Sequence, residues 1–266
     1  MPPYPSLHDV ATSPILSSQI LYNLRMTSFI AHIMVIVLGI YTRFPVFFVQ
    51  FTNWTNMMST VYATFALLSS YYFARPKFYN DASLTKVFVR SRPSKLAHAT
   101  QILLQLTLPL HGIVTSVFWP LVFPEADTSH GGFDYTYFLL SHGTTLFLLI
   151  LETLFNKVQF DRKILKFHAI YIFVYALLAL FLLYRYNFAV YSFVDFRTSK
   201  LNRIILAFIP LLVIIFNEFA ILLALLRNKA VKSALDIDIP KIQKRYKRFI
   251  RERKSFANES DGSSFE

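Results

Sequence analysis

Long apolar segments alternate with short polar ones along most of this chain. A helix needs about 20 mostly apolar residues to cross the hydrocarbon core of a bilayer. Six segments approach or reach that length, near residues 24–41, 47–73, 97–120, 134–156, 164–186 and 203–226. The pattern predicts an all-α fold: a six-helix transmembrane bundle at 24–226, an N-terminal segment at 1–23 and a basic tail at 227–266.

The second apolar segment carries a stripe of polar side chains. Thr52, Thr55, Asn56 and Ser59 are spaced i, i+3, i+4 and i+7, which places them on one face of a helix. We expect this face to point into the bundle, because polar groups are costly in lipid. Hydrogen bonding between helices is the simplest explanation of such a stripe, and it requires no chemistry.

The composition agrees with a membrane protein, since 55% of the residues are hydrophobic and only 16% are charged. The net charge of +12 is concentrated in the tail and in two short loops, and 11 of the 27 Lys and Arg lie from Arg227 onward. This distribution favours anionic lipids as partners and argues against nucleic acid. The lack of cysteine excludes disulfides, thiolate nucleophiles, Cys-ligated zinc and S-palmitoylation.

The basic residues also predict the orientation. One side of the six segments carries 22 Lys and Arg and the other carries 5, and basic loops are retained in the cytosol. We therefore expect both termini in the cytosol, with the protein in the endoplasmic reticulum or plasma membrane. The first residues lack the basic start of a cleaved signal, so the first apolar helix is expected to direct targeting.

The tail contains a second kind of helix pattern. Between residues 239 and 256 apolar residues recur at near-helical spacing among eight Lys and Arg. This predicts a basic amphipathic helix on the cytosolic leaflet, begun by Asp238 and Pro240. A solvated charged helix that touches no membrane is the alternative. Residues 257–266 are expected to be disordered.

Polar residues of three segments fall at a similar depth. Counted from the non-cytosolic ends, His142 lies ~12 Å and Thr52 ~8 Å inside the bundle, with His111 at a comparable level. A threonine hydroxyl becomes a nucleophile when a base removes its proton, and neutral histidine is the usual base near pH 7. The alternative is that each histidine is a hydrogen-bonded structural residue.

Short motifs that recur in order give the chain a family resemblance. They are Phe51-Thr52-Asn53-Trp54, the ten positions from Pro109 to Phe118-Trp119, the run His142-Gly143-Thr144-Thr145 leading to Glu152, and Val190-Tyr191. Together they resemble the family of androgen-induced and androgen-dependent TFPI-regulating membrane proteins. The resemblance covers residues 25–226.

The resemblance implies a multipass threonine hydrolase that cleaves fatty acid esters of hydroxy fatty acids. The family's nucleophilic threonine and basic histidine correspond by position to Thr52 and His142. The chain departs from the family at Thr55, which stands in place of an aspartate, and at Ser192, which stands in place of a proline. The family also has a histidine before the fourth span, where this chain has Phe or Leu.

The expected mechanism is nucleophilic acyl transfer at a lipid ester. His142 activates Thr52, and a donor must stabilise the oxyanion. Asn53, Asn56, His111 or a backbone amide near Pro109 could donate or support this step. Glu152 lies ~15 Å further along its helix and is expected to be a structural or cytosol-side group. No metal or cofactor is expected.

Two alternatives come from other functional classes. A non-catalytic lipid carrier or scaffold would use the same apolar helices without any chemistry. A haem-binding electron carrier would use pairs of histidines as axial ligands, either His98 with His168 or His111 with His142.

Overall fold

The fold is built from helices. The computed structural model describes residues 10–74, 94–126 and 128–261, with the backbone alone for 74 and 234–261, and no strand occurs in these residues. The all-α class is therefore confirmed. The six long helices are α1 (Ser18–Arg43), α2 (Phe51–Ala74), α3 (Lys95–Val117), α4 (Gly132–Phe155), α5 (Leu165–Tyr186) and α6 (Lys200–Asp261).

Short turns of other helix types join or interrupt these helices. Turns of 3-10 helix occupy Val46–Val49, Arg162–Ile164 and Ser192–Val194. A π-turn, Phe118–Val122, extends α3 and is followed by a 3-10 turn, Phe123–Glu125. A second π-turn, Leu140–Thr144, lies inside α4. π-turns insert a surplus residue that changes the direction of nearby side chains, and they are frequent at functional sites.

Several helices suit a bilayer. Among the described residues, five helical stretches are long and apolar enough to cross a membrane: Ser18–Arg43, Lys95–Glu125, Gly132–Phe155, Arg162–Tyr186 and Lys200–Ser233. This indicates a multipass membrane protein. The remaining long helix, α2, has 24 residues and is rich in Ser, Thr and Asn.

The polar character of α2 is explained by its position. It packs against both α1 and α3. Thr52, Thr55, Asn56 and Ser59 are all buried, which confirms that their stripe faces the bundle interior. Thr55 and Ser59 donate to carbonyl oxygens one turn earlier in α2, each at 3.0 Å. The helix therefore satisfies part of its polar face internally.

A buried ion pair between Arg25 of α1 and Glu152 of α4 ties the bundle together. Arg25 is only 1% exposed, and its Nε donates to Glu152 at 3.0 Å. Nη1 donates to the Ala66 carbonyl at 3.2 Å and to Ser70 Oγ at 2.6 Å, both in α2. Nη2 donates to the Val10 carbonyl at 2.8 Å and to Glu152. All five guanidinium donors are engaged, and Glu152 is structural, as expected.

A second ion pair joins the other ends of the same two helices. Arg43 of α1 donates to the buried carboxylate of Asp134 in α4 at 3.0 Å. Arg25 and Arg43 are 18 residues apart, as are Asp134 and Glu152. Eighteen residues of α-helix span about 27 Å, close to the thickness of the hydrocarbon core. The two pairs therefore set the register of α1 against α4.

Helix α6 approaches α3 closely at a glycine. A side chain on Gly112 of α3 would meet the ring of Phe216 at less than 3.0 Å. Glycine is therefore needed there for the two helices to pack at this distance. This contact positions the part of α6 that lies beside the site described below.

The chain divides into two compact units between Ala224 and Leu225. In the second unit the backbone is helical as far as Asp261. The helix runs through Asp238 and Pro240, so the predicted helix start at these residues is wrong. A proline removes only one backbone donor, and the hydrogen bonds of the flanking turns can hold the helix together. The side chains of 239–256, residues 1–9, the basic loop 75–93 and residues 262–266 lie outside the described residues.

We predict that the Arg25–Glu152 pair is required for a stable bundle. Arg25→Ala leaves the Glu152 carboxylate buried without its partner, and we expect a loss of about 3–5 kcal/mol, measured by thermal unfolding in detergent. Arg25→Met combined with Glu152→Met removes both charges and should recover part of this loss.

The matched control is the ion pair of Arg162 with Glu218, whose side chains are 72% and 40% exposed. Arg162→Ala should leave the melting temperature nearly unchanged, because water and salt screen an exposed pair. An Arg25→Ala protein that melts at the wild-type temperature would contradict this account of the bundle.

Candidate functional site

Thr52 and His142 lie in the walls of one cavity of about 210 Å³. Its lining is mostly polar and includes Arg43, Gln50, Glu125, Tyr191 and Ser192. Within the described residues no hydrogen bond joins Thr52 to His142. Catalytic pairs are often loosely arranged before substrate binds, so this geometry remains compatible with proton transfer.

Thr52 occupies the second position of α2. Its hydroxyl lies 3.3 Å from the hydroxyl of Tyr191, and its backbone N–H donates to the same oxygen at 3.4 Å. Because Tyr191 accepts from the amide, its own hydrogen can be donated to Thr52 Oγ1. The positive end of the α2 dipole also lies here and favours negative charge on that oxygen.

Tyr191 is held in place by the loop between α5 and α6. Its ring stacks on Phe193 with centroids 5.3 Å apart and an angle of 14°. Asn202 of α6 donates to the carbonyls of Ser192 and Asp195, at 3.1 and 3.0 Å. Desolvation raises the pKa of Tyr191, so its hydroxyl keeps its proton at neutral pH.

His142 lies in the π-turn of α4 and is buried. Its ring stacks on Phe118, with centroids 3.4 Å apart and an angle of 5°. The His142 carbonyl accepts a hydrogen bond from Thr115 Oγ1 of α3 at 2.7 Å. Phe118 begins the π-turn that follows α3, so two π-turns meet at this point and hold the imidazole ring in its plane.

The side chain of Asn53 forms three hydrogen bonds at the start of α2. Its amide nitrogen donates to the Phe47 carbonyl at 3.1 Å and to Gln50 Oε1 at 3.0 Å, and its oxygen accepts from the hydroxyl of Tyr137. Asn53 does not line the cavity beside Thr52. These bonds fix the loop before α2 and connect it to α4.

Asn56 and His111 are buried in the bundle and do not line that cavity. His111 Nε2 lies 2.7 Å from Ser59 Oγ, while the side-chain amide of Asn56 has no hydrogen-bond partner among the described residues. The supporting roles expected of Asn53, Asn56 and His111 remain predictions.

His98 and His168, the other pair of candidate haem ligands, do not line this cavity. His168 Nε2 lies 3.1 Å from the carbonyl oxygen of Leu106 in α3. Neither His98 nor His168 lines a cavity with Thr52. Within the described ranges, no group of three or more His, Cys, Asp or Glu is arranged to hold a metal ion.

A second cavity adjoins the first. It has a volume of about 320 Å³ and almost entirely apolar walls. Four residues line both cavities: Thr52, Phe118, Val122 and Tyr191. The candidate nucleophile, Thr52, therefore lies where the polar cavity meets the apolar cavity. Sequence reasoning identified Phe118 and Tyr191 only as parts of motifs and gave them no role.

No protein-family model, no curated protein and no solved structure matches this chain. The interpretation of the site therefore depends on the arrangement of the chain's own residues.

We predict that a small water-soluble reagent reaches position 52 from the polar cavity. Because the chain has no cysteine, Thr52→Cys introduces a single thiol whose alkylation by iodoacetamide can be followed by mass spectrometry. It should react in the folded protein. Thr55→Cys is the matched control: it is fully buried one helical turn away and lines neither cavity, so it should react only after unfolding. Equal protection of both thiols would contradict the cavity geometry.

Proposed function

We propose that this protein is a six-span intramembrane threonine hydrolase that cleaves lipid esters. The observation that carries the proposal is the position of Thr52, which lines a polar cavity together with His142 and an apolar cavity together with aliphatic and aromatic residues. A lipid ester has the same division, with a reactive carbonyl between a polar part and an apolar chain.

The proposed reaction has two stages. His142 takes the proton of Thr52, the oxygen attacks the ester carbonyl, and His142 returns the proton to the leaving alcohol as an acyl-threonine forms. Water then attacks the acyl-threonine with His142 again as base, which releases the fatty acid and restores Thr52. The positive end of α2 and the Tyr191 hydroxyl support the negative charge on the Thr52 oxygen.

The proposed substrates are fatty acid esters of hydroxy fatty acids. The apolar cavity, whose walls contain no charged residue, suits the acyl chain. The alcohol part carries a carboxylate and suits the polar cavity, where Arg43, Gln50 and Ser192 contribute polar groups. This assignment agrees with the family resemblance of the motifs around Thr52 and His142.

A lipid carrier without chemistry is the second candidate, because an apolar cavity also suits a bound lipid. A carrier would keep its function when the Thr52 hydroxyl or the His142 imidazole is removed. A hydrolase would lose it.

We also propose that α2 is the sixth span, with both termini in the cytosol of a cell whose endoplasmic reticulum or plasma membrane holds the protein. The support for α2 is its length of 24 residues and its buried polar face. The basic tail at 227–266 is proposed to bind anionic lipids of the cytosolic leaflet.

We predict that Thr52→Ala and His142→Ala each lower lipid ester hydrolysis at least ~100-fold, the effect expected for loss of a nucleophile or general base. Thr52→Ser should retain part of the activity because the hydroxyl survives. The double alanine variant should be little worse than either single variant, since the two residues act as one unit. Hydrolysis and covalent labelling by an activity-based hydrolase probe would measure both.

Thr55→Ala and Thr145→Ala are the controls. Their hydroxyls donate to carbonyls of their own helices, at 3.0 Å and 2.9 Å, and do not line the polar cavity. Each should cost at most about 1 kcal/mol of stability and leave hydrolysis intact. If the Thr52 and His142 variants fold normally and hydrolyse lipid esters at the wild-type rate, the mechanism is wrong.

The topology can be tested with tags and glycosylation. Epitope tags at residues 2 and 266 should both be accessible from the cytosol, and an acceptor sequence inserted near Thr128 should be glycosylated in the secretory membrane. The native Asn53-Trp54-Thr55 triplet should remain unmodified, because it lies at the buried start of α2. Protection of either tag from cytosolic reagents would overturn the six-span arrangement.

A further inference from the structure

The apolar cavity is walled by residues of α2, α3, α5 and α6 and by the loop between α5 and α6. Three of its lining residues are also exposed: Ala176 and Leu180 of α5 and Pro210 of α6. A residue that lines a cavity and is also exposed marks the mouth of that cavity. The cavity therefore opens sideways, between α5 and α6.

The surface around this mouth is apolar. On α5 the neighbouring residues Phe173, Leu177 and Phe181 are 63%, 51% and 55% exposed. On α6, Phe208 and Leu211 are also exposed. Such a surface would be unfavourable in water and is suited to lipid acyl chains. A molecule that reaches the mouth must therefore come from the hydrocarbon phase.

The mouth also lies at the depth of the acyl chains. Ala176 is ten residues from the end of α5 at Tyr186, and Pro210 is ten residues from the start of α6 at Lys200. Ten residues of helix correspond to about 15 Å, which is half the thickness of the hydrocarbon core. This position is central whichever face of the protein is cytosolic.

The side chains at the mouth leave space for a chain to pass. Ala176 is small, and Pro210 is the exposed lining residue on the facing helix α6. The inner wall is formed by Ile113 and Val114 of α3, which are 3% and 5% exposed and have no access to lipid from outside the bundle. From there the cavity reaches Thr52.

We propose that the mouth between α5 and α6 is a lateral portal that admits the acyl chain of a bilayer lipid. The chain passes Ala176 and Pro210, lies against Ile113 and Val114, and brings its carbonyl end toward Thr52. Binding of the chain depends only on the cavity, while its hydrolysis at Thr52 rests on the proposed function.

The test uses a palmitate that carries a photoreactive diazirine in the middle of its acyl chain, added to liposomes that contain the full chain. After irradiation, mass spectrometry identifies the cross-linked peptides. Labelling of Ile113 and Val114 is expected in the wild type and also in Thr52→Ala. Since these residues are buried, their labelling reports that the chain has passed inside the bundle.

Ala176→Trp fills the mouth and should abolish labelling of Ile113 and Val114, whereas Leu177→Trp, one position along on the lipid-facing surface, should leave it intact. Leu180→Ala widens the mouth and should increase it, which keeps the test decisive if Ala176→Trp melts early. Absence of labelling at Ile113 and Val114 in the wild type, or full labelling in a folded Ala176→Trp protein, would overturn the portal. Retained hydrolysis in Thr52→Ala would instead overturn the proposed function and leave the portal standing.

Discussion

The buried ion pair of Arg25 with Glu152 is the interaction on which the rest of the bundle depends. A charge inside a membrane protein is tolerated only when it is paired and hydrogen-bonded, and Arg25 uses every donor it has on α2, α4 and the chain near Val10. The pair of Arg43 with Asp134 repeats the constraint at the other end of α1 and α4. A slip of one helix along the other would leave two carboxylates and two guanidinium groups without partners. His142 lies between Asp134 and Glu152 in the chain, so the same two pairs determine the depth at which its ring meets the cavity.

The shape of the polar cavity at Thr52 depends on irregular backbone as much as on side chains. A regular α4 would direct the residues around His142 differently, and a regular end to α3 would move Phe118 from the face of that ring. The loop between α5 and α6 completes the polar cavity with Tyr191, which contacts both the hydroxyl and the amide of Thr52. The site thus combines residues from four parts of the chain around the N-terminus of α2, where the helix dipole favours an anion.

The helices and the inward face of α2 could be predicted from the sequence, because hydropathy and a 3.6-residue period are local properties. The shared layer of Thr52 and His142 followed from counting residues inward from the starts of the second and fourth apolar segments. Tyr191 could not be found in this way, since it lies in a loop and reaches Thr52 only through tertiary packing. The partners of Arg25 were equally hidden: its charge near a helix end is typical of an interfacial residue, and nothing local connects it to Glu152. The lateral mouth depends on Ala176 facing Pro210 across two helices, which a single sequence does not reveal.

The Arg25–Glu152 pair also has a consequence for biosynthesis. The two residues are separated by 127 positions, so Arg25 emerges from the ribosome long before the carboxylate that neutralises it. At a synthesis rate of roughly 5–20 residues per second, the interval is about 6–25 seconds. During this time the first helix can be held only shallowly, with the arginine side chain extended toward the lipid headgroups. Its final depth is reached when the fourth helix arrives, so the first helix settles late although it is synthesised before the fourth.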